Sequence, residues 1–321
     1  MTFRKISIIG TGLIGGSIAL SLKQSKGYDF IITGFDIDPS SLDIALELGA
    51  INKKANSIEE AVNDADVVFL CTPIVWTGYI LFVDALNFKL YKNSLIKTRT
   101  VEFLIMLPWS VICWLIFEAY NFHLKNWYYI GLPESALART VGYVWSFATI
   151  FPAILETNQL IKPIFKNANK KPSKPTDKKL LVYFVLGLIF LIVPLLLPPE
   201  VASYLFALVW VGFAFLLEPL NYKLGGESLF KEFENGKLTT LFSLFLAGLI
   251  CGVLWEFWNY WAIGKWIYTV PIPFAGPKIF EMPLLGFLGF PAFAVEVYSL
   301  QNFLIVVLKK NQRLAELFGV V

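Results

Sequence analysis

Charge is scarce in this chain. Asp, Glu, Lys and Arg make up only 16% of its 321 residues, where soluble globular domains carry about a quarter, and this excludes one well-solvated globular domain as an account of the whole. A net charge of +3 leaves no basic surface of the size that nucleic-acid binding needs. Histidine occurs once, as His123, which excludes a histidine-rich metal centre. The three cysteines, Cys71, Cys113 and Cys251, lie in apolar runs without metal-ligand spacing, so they read as buried thiols and no disulfide framework follows. The opening MTFRKISIIGTGLIGG lacks a small-residue cleavage site and its apolar run is broken by glycines, so it does not read as a signal peptide.

What the chain has instead is apolar surface. Hydrophobic residues reach 56%, with 29 Phe and 10 Trp, and the mean hydropathy is +0.63. That profile belongs to a membrane protein, whose expected partner is lipid, and the length suits a bundle of about six or seven helices.

Residues 1–75 read differently from the rest. A short apolar run, Lys5 to Ile9, leads into Gly10-Thr-Gly12-Leu-Ile-Gly15-Gly16, an amphipathic stretch from Ser17 to Lys23, and a second apolar run, Ile31 to Phe35, ending in Asp36. This is strand, glycine turn, helix, strand. Gly10 permits the tight turn, Gly12 lets a pyrophosphate approach the backbone, and Gly15 lets helix and strand pack closely, while the helix N-terminus offers unpaired N–H groups to the anion. Asp36, 26 residues beyond Gly10, is spaced to accept from a ribose 2'-hydroxyl, which favours NAD over NADP.

The runs ISIIGTGLIGGSIALSLK, FDIDPSSLDIALELGA and ADVVFLCTP resemble the opening of prephenate and arogenate dehydrogenases. The resemblance covers about the first 75 residues and implies a Rossmann-like fold, an NAD(P) cofactor bound at Gly10, Gly12, Gly15 and Asp36, and Thr72 and Pro73 beside it. It also implies parts that this chain lacks: the second half of the sheet, a Gly-x-His-Pro motif with the catalytic histidine, and a helical domain completing the substrate site. Three principal strands, near 5–9, 31–35 and 67–71, supply half of such a sheet and leave one edge exposed.

From Trp76 on, long apolar segments alternate with short loops. Six spans are expected, at 102–121, 139–156, 180–197, 201–217, 238–261 and 282–308, each long enough to cross or nearly cross about 30 Å of hydrocarbon. Lysine and arginine cluster at 89–99, 162–179, 223–237 and 309–313, and all four clusters fall on one side of the resulting topology. By the positive-inside rule that side is cytoplasmic, with loops 122–138 and 263–280 opposite, and a bacterial cytoplasmic membrane is the expected location. The loop at 162–179, rich in Lys and Pro, reads as flexible, with anionic lipid as an alternative ligand.

The two readings collide at VVFLCTPIVWTGYILFVDALNF, residues 67–88. A spanning helix over all of it would put the nucleotide-binding segment outside the cell. A strand over Val67 to Cys71 leaves Trp76 to Phe88, too short to span. The simplest account joins the start of a soluble enzyme to a membrane protein lacking the beginning of its first helix, by gene fusion or by an assembly error.

The membrane part also repeats itself. Trp114–Pro133 aligns with Leu254–Pro273, pairing Glu118 with Glu256, Asn121 with Asn259, Trp127 with Trp266 and Tyr129 with Tyr268, and a Glu-x-x-Asn pair recurs at Glu218 and Asn221. Each Glu shares a helix face with its Asn. Glu118, Asn121, Glu256 and Asn259 are therefore candidates for a polar membrane site, the alternative being hydrogen bonds between helices beside an aromatic belt. WEFWNYW and FEMPLLGFLGFPAF loosely resemble segments of multi-pass bacterial membrane proteins and carry no catalytic role over.

The expected fold class is thus mainly α: a polytopic transmembrane bundle (76–321) preceded by an incomplete Rossmann-like α/β segment (1–75). Its function is read as a membrane activity on a small or lipidic substrate joined to a non-catalytic dehydrogenase fragment; the alternative is an NAD(P)-dependent prephenate or arogenate dehydrogenase. No metal is expected, and NAD is implied by the N-terminal resemblance alone.

Overall fold

The computed structural model describes residues 4–25, 29–70, 75–262, 264–271 and 277–311. The chain divides into two units, at Leu81 and Phe82, several residues beyond the boundary read from sequence.

The first unit is built on the apolar strand β1 (Lys5–Ile9), which is followed by α1 (Leu13–Lys23), β2 (Ile31–Phe35), α2 (Pro39–Glu47), β3 (Lys53–Lys54), α3 (Ile58–Val62) and β4 (Val67–Leu70). All strand pairs are parallel, in the order β3-β2-β1-β4. Ile6, Ile8 and Ile9 are buried because β1 is central, with α1 and α2 supplying Ala19, Leu42 and Ala45 to the core. Polar caps set the helix starts: Asp38 accepts from Ser40 N and Ser41 N ahead of α2, and Ser57 accepts from Glu60 N ahead of α3. Among the described residues β4 pairs only with β1, and Ile37, Ile44, Leu48 and Val68 remain exposed, as in a sheet that stops half-built.

The disputed stretch is divided. After β4 the chain forms α4 (Val75–Tyr91), a helix of 17 residues, longer than the 13 expected and starting one residue earlier. Cys71, Thr72 and Pro73 lie outside the described residues.

Beyond it come α5 (Thr100–Leu124), β5 (Trp127–Ile130), α6 (Ala136–Ala148), α7 (Ile150–Ile161), α8 (Asp177–Leu196), α9 (Pro199–Ala202), α10 (Phe206–Leu224), α11 (Leu229–Glu234), α12 (Thr239–Trp261), β6 (Lys265–Tyr268), the short pair β7 (Lys278–Ile279) and β8 (Met282–Pro283), and α13 (Gly289–Lys310). Five segments among the described residues are long and apolar enough to cross a membrane: Thr100–Leu124, Asp177–Leu196, Pro199–Leu224, Thr239–Trp261 and Leu284–Lys310. The protein is a polytopic helical bundle preceded by a small parallel sheet, with the character of an integral membrane protein.

The second expected span, 139–156, is not one helix. Pro152 has no N–H to give to Ala148 O, and Ser110 of α5 enters the gap, donating to Phe147 O and accepting from Phe151 N at 3.2 Å. Thr149 Oγ1 turns back onto Ser146 O at 2.8 Å. An inserted side chain and a proline together break the ladder into α6 and α7. Close packing elsewhere relies on glycine: a Cβ on Gly187 of α8 would stand 2.4 Å from Leu216 N of α10, and one on Gly248 of α12 would stand 2.4 Å from Phe290 O of α13.

Two pairs of loops are joined by backbone hydrogen bonds. Loops 122–138 and 263–280 are joined by the antiparallel pair β5·β6. The lysine loop is joined to residues 233–238: Lys170 N donates to Gly236 O at 2.8 Å, Ser173 N to Phe233 O at 3.0 Å, and Leu238 N to Ala168 O at 2.9 Å. These bonds fasten a loop that its composition presents as flexible.

Candidate functional site

The glycine turn has the geometry its residues demand. Gly10 sits at φ 91°, and a Cβ on Gly15 would stand 1.9 Å from Gly10 O, so neither position accepts a side chain. A Cβ on Gly12 would meet nothing within 4 Å. Open space over Gly12, at the uncapped start of α1, is what an approaching pyrophosphate requires. Asp36 is tied to the same turn, accepting from Thr11 N at 2.7 Å and Asp38 N at 3.0 Å. These residues fit an adenine dinucleotide. The chain's histidine, His123, belongs to the second unit and lies at the end of α5, its Nε2 2.9 Å from Leu197 O.

The polar membrane candidates divide by residue type. Asn121 accepts from Asn126 N at 2.8 Å and Trp127 N at 3.1 Å and donates to Trp127 O at 2.8 Å. Asn259 repeats this on β6, accepting from Trp266 N at 3.0 Å and donating to Trp266 O at 2.9 Å. Both amides fasten a helix end to the strand that follows it. The register across β5·β6 pairs Trp127 with Tyr268 and Tyr129 with Trp266, so aligned residues of the two repeats exchange places about a pseudo-twofold axis at Tyr128 and Ile267.

Across this axis the carboxylates differ. Glu118 Oε1 accepts from Trp114 Nε1 at 2.9 Å, from Trp127 Nε1 at 3.3 Å and from Tyr129 OH. Glu256, fully buried, accepts from Tyr268 OH at 2.7 Å, and its Oε2 has no partner among the described residues. Burial, then the neighbouring carboxylate, pushes both tyrosine hydroxyls well above their usual range, so they stay donors at neutral pH.

A second set of polar groups lies at the opposite helix ends. Asp84 accepts from Ser94 Oγ at 2.7 Å and Ile96 N at 3.1 Å, while Asn87 Nδ2 donates to Glu156 O at 3.0 Å and Leu95 N to Glu156 Oε1 at 3.1 Å. In the second half, Ser299 Oγ donates to Glu218 Oε1 at 2.8 Å, Asn221 Nδ2 to Ser299 O at 2.9 Å, and Leu229 N to Glu218 Oε2. Asp84, Asn87, Glu156 and Glu296 are not among the sequence candidates, yet a signal for the first two exists. VWTGYILFVDALNFKL (75–90) aligns with VWVGFAFLLEPLNYKL (209–224), and Ser94 and Leu95 continue the match at Ser228 and Leu229. The duplication therefore includes α4 and α10, and the repeat begins where the strand-and-turn pattern of the N-terminal unit stops.

Comparison with known proteins finds a likeness over part of the chain, and the family match runs past the start of the repeat at Val75. The family model for the nucleotide-binding domain of prephenate dehydrogenase matches residues 18–95. The prephenate dehydrogenase of Bacillus subtilis is 42% identical over 76 residues, 24% of this chain and 20% of that protein. The cyclohexadienyl dehydrogenase of Zymomonas mobilis is 35% identical over 80 residues, 24% of this chain and 26% of that protein. The prephenate dehydrogenase of Lactococcus lactis is 40% identical over 78 residues, 24% of this chain and 21% of that protein. The chain thus spans about a quarter or less of the length of these relatives. No solved structure matches it.

Proposed function

We propose that this chain is a multi-pass protein of the bacterial cytoplasmic membrane, acting on a small or lipidic substrate, joined to the non-catalytic start of a dehydrogenase. The observation that carries the reading is the boundary at residues 71–75: the parallel sheet ends at β4, and from Val75 the sequence repeats α10. Hydride transfer needs cofactor and second substrate held in register. The described N-terminal unit offers a cradle for the first and neither a histidine nor a helical domain for the second. In the bundle, α4 is the counterpart of α10 and is read as a further span beside α5, the broken α6–α7, α8, α10, α12 and α13. The lysine-bearing loops are read as cytoplasmic.

The intact glycine turn favours a second reading, an NAD(P)-dependent dehydrogenase acting on prephenate or arogenate. Turnover separates the two: purified protein with prephenate or arogenate and NAD or NADP is expected to produce no reduced cofactor, and production at rates above the Gly12→Asp variant supports the dehydrogenase. Cysteine labelling tests the membrane reading independently, with single cysteines at 170 and 270 reacting from opposite faces of a sealed vesicle. Labelling of both from one face would sink the topology.

A further inference from the structure

The duplication permits a comparison of the bundle with itself. Phe151-Pro152-Ala153 of α7 aligns with Phe290-Pro291-Ala292 of α13, which places Thr157 opposite Glu296; the alignment of α5 with α12 that pairs Glu118 with Glu256 likewise pairs Cys113 with Cys251. In the first-half position the contact is direct, Cys251 Sγ lying 3.4 Å from Thr157 Oγ1; in the second half Cys113 is buried, as Glu296 is. In the first half the position holds a hydroxyl that is fully used, Thr157 Oγ1 donating to Ala153 O at 2.6 Å. In the second half it holds a carboxyl that is 0% exposed, with Oε1 accepting from Phe213 N at 2.9 Å and Oε2 without a partner among the described residues. The same scaffold position is satisfied by threonine in one repeat, so packing alone does not call for an acid in the other.

We propose that Glu296 is a proton-binding site at mid-depth in the bundle, exchanging its proton with the lysine-rich side through Ser299 and Glu218. This rests on the membrane reading of the bundle and on nothing in the N-terminal unit. An organic cation is not the occupant, because the aromatic rings around the site touch one another: Phe117 stands 5.7 Å from both Phe213 and Phe293, and Trp114 5.8 Å from Phe293. A proton needs no cavity. No lysine, arginine or histidine pairs with Glu296 among the described residues. The titratable groups of α5 that feel a charge on Glu296 are Cys113 and Tyr120, the amides turned to it from α10 are those of Phe213 and Ala214, and Glu218 of α10 bears on the next turn of α13 through Ser299.

The route inward is made of consecutive turns. Ser299 follows Glu296 by one turn of α13 and donates to Glu218 Oε1 at 2.8 Å, and Glu218 Oε2 accepts from Leu229 N at the start of α11, in an inner loop. The step is a proton transfer only. The proton leaves Glu296 Oε2 and the carboxylate keeps its bond from the Phe213 amide; an intervening water takes that proton and gives one of its own to the Ser299 hydroxyl, which releases its proton to the Glu218 carboxylate. Intramembrane acids with this isolation characteristically mark proton relays.

Infrared difference spectroscopy on the full chain in lipid nanodiscs, scanned from about pH 5 to about pH 10, tests it. A protonated-carboxyl band that changes with pH and shifts on transfer to D2O is expected in the wild type and absent from Glu296→Gln. Glu296→Thr, which copies the residue of the first repeat, is expected to insert and fold normally and to lose the same band. Glu218→Gln and Ser299→Ala are expected to keep the Glu296 band and slow its exchange at least tenfold. A band in the wild type that neither responds to pH nor exchanges, or one that survives in Glu296→Thr, overturns the proposal. Failure of the wild type to enter nanodiscs would instead overturn the membrane reading beneath it.

Discussion

In the N-terminal unit the glycine turn keeps its geometry while the described sheet around it is small; in the bundle most of the conspicuous polar groups are already engaged. Gly10, Gly12, Gly15 and Asp36 keep a tight turn with open space over Gly12, on a sheet whose β4 pairs only with β1 among the described residues and which leaves large apolar side chains exposed. In the bundle, Asn121, Asn259, Asn221 and Asn87 each spend a side-chain amide on backbone, and Glu118 accepts from three donors. A preserved motif therefore says less about activity than the state of its surroundings, and among the unpartnered buried atoms of the bundle the two carboxylate oxygens, at Glu256 and Glu296, are the ones that can take up a proton.

The sharpest way to break this comparison is to destroy one unit and watch the other. Gly15→Ala drives a methyl into Gly10 O and is expected to destabilise the sheet by about 3 kcal/mol, as much as a core this small can supply. Limited proteolysis is expected to cut within residues 1–70 while the bundle stays protected. Degradation of both together would show that they fold as one.

Asn221→Ala and Asn87→Ala test whether the duplication is energetic as well as geometric. Each removes the donor that joins its helix to the third helix of its own repeat, and each is expected to cost about 1–2 kcal/mol in detergent-denaturation midpoints. Equal losses support two matched halves. Ser110→Ala is expected to cost about 1 kcal/mol, because it leaves the Phe147 carbonyl and Phe151 amide unbridged at the break between α6 and α7.

The smallest effect is an acid one. The Lys53 ammonium and the Asn56 amide hold the exposed Glu60 carboxyl down, from 4.5 to about 2. A depressed folded value means that the contribution to stability is complete above about pH 4.5 and disappears as pH falls toward 2. Glu60→Gln should flatten the acid-unfolding profile of the N-terminal unit across that window and leave the bundle unchanged, as read by protease resistance against pH.

Much of this was legible in the sequence because two strong periodicities wrote it there. The alternation of apolar runs and glycines up to residue 75 specified β1, α1, β2 and β4, and the long apolar runs specified α5, α8 and α12 to within about three residues and α10 and α13 to within about seven. The break at Thr149 was hidden, since hydropathy is indifferent to whether Pro152 finds a side chain such as Ser110 to fill the gap in its helix. The role of Asn121 and Asn259 was half visible: their pairing with Glu118 and Glu256 showed in the repeat, but their attachment to backbone needed the strands β5 and β6 to be in place. Glu296 escaped notice because its repeat partner is a threonine, and the short Phe-Pro-Ala match at 151–153 and 290–292 is what aligns the two.

The account stands most directly on whether the cradle still binds. Isothermal calorimetry of NAD against the purified full chain, with Gly12→Asp as the blocked control, decides it. Ordering an incomplete sheet subtracts from the cofactor's binding energy, so the wild type is expected to bind no tighter than about 1 mM, about 4 kcal/mol, with little change in the variant. A micromolar dissociation constant abolished by Gly12→Asp would show a working nucleotide domain and contradict the reading of residues 1–75 as a non-catalytic remnant.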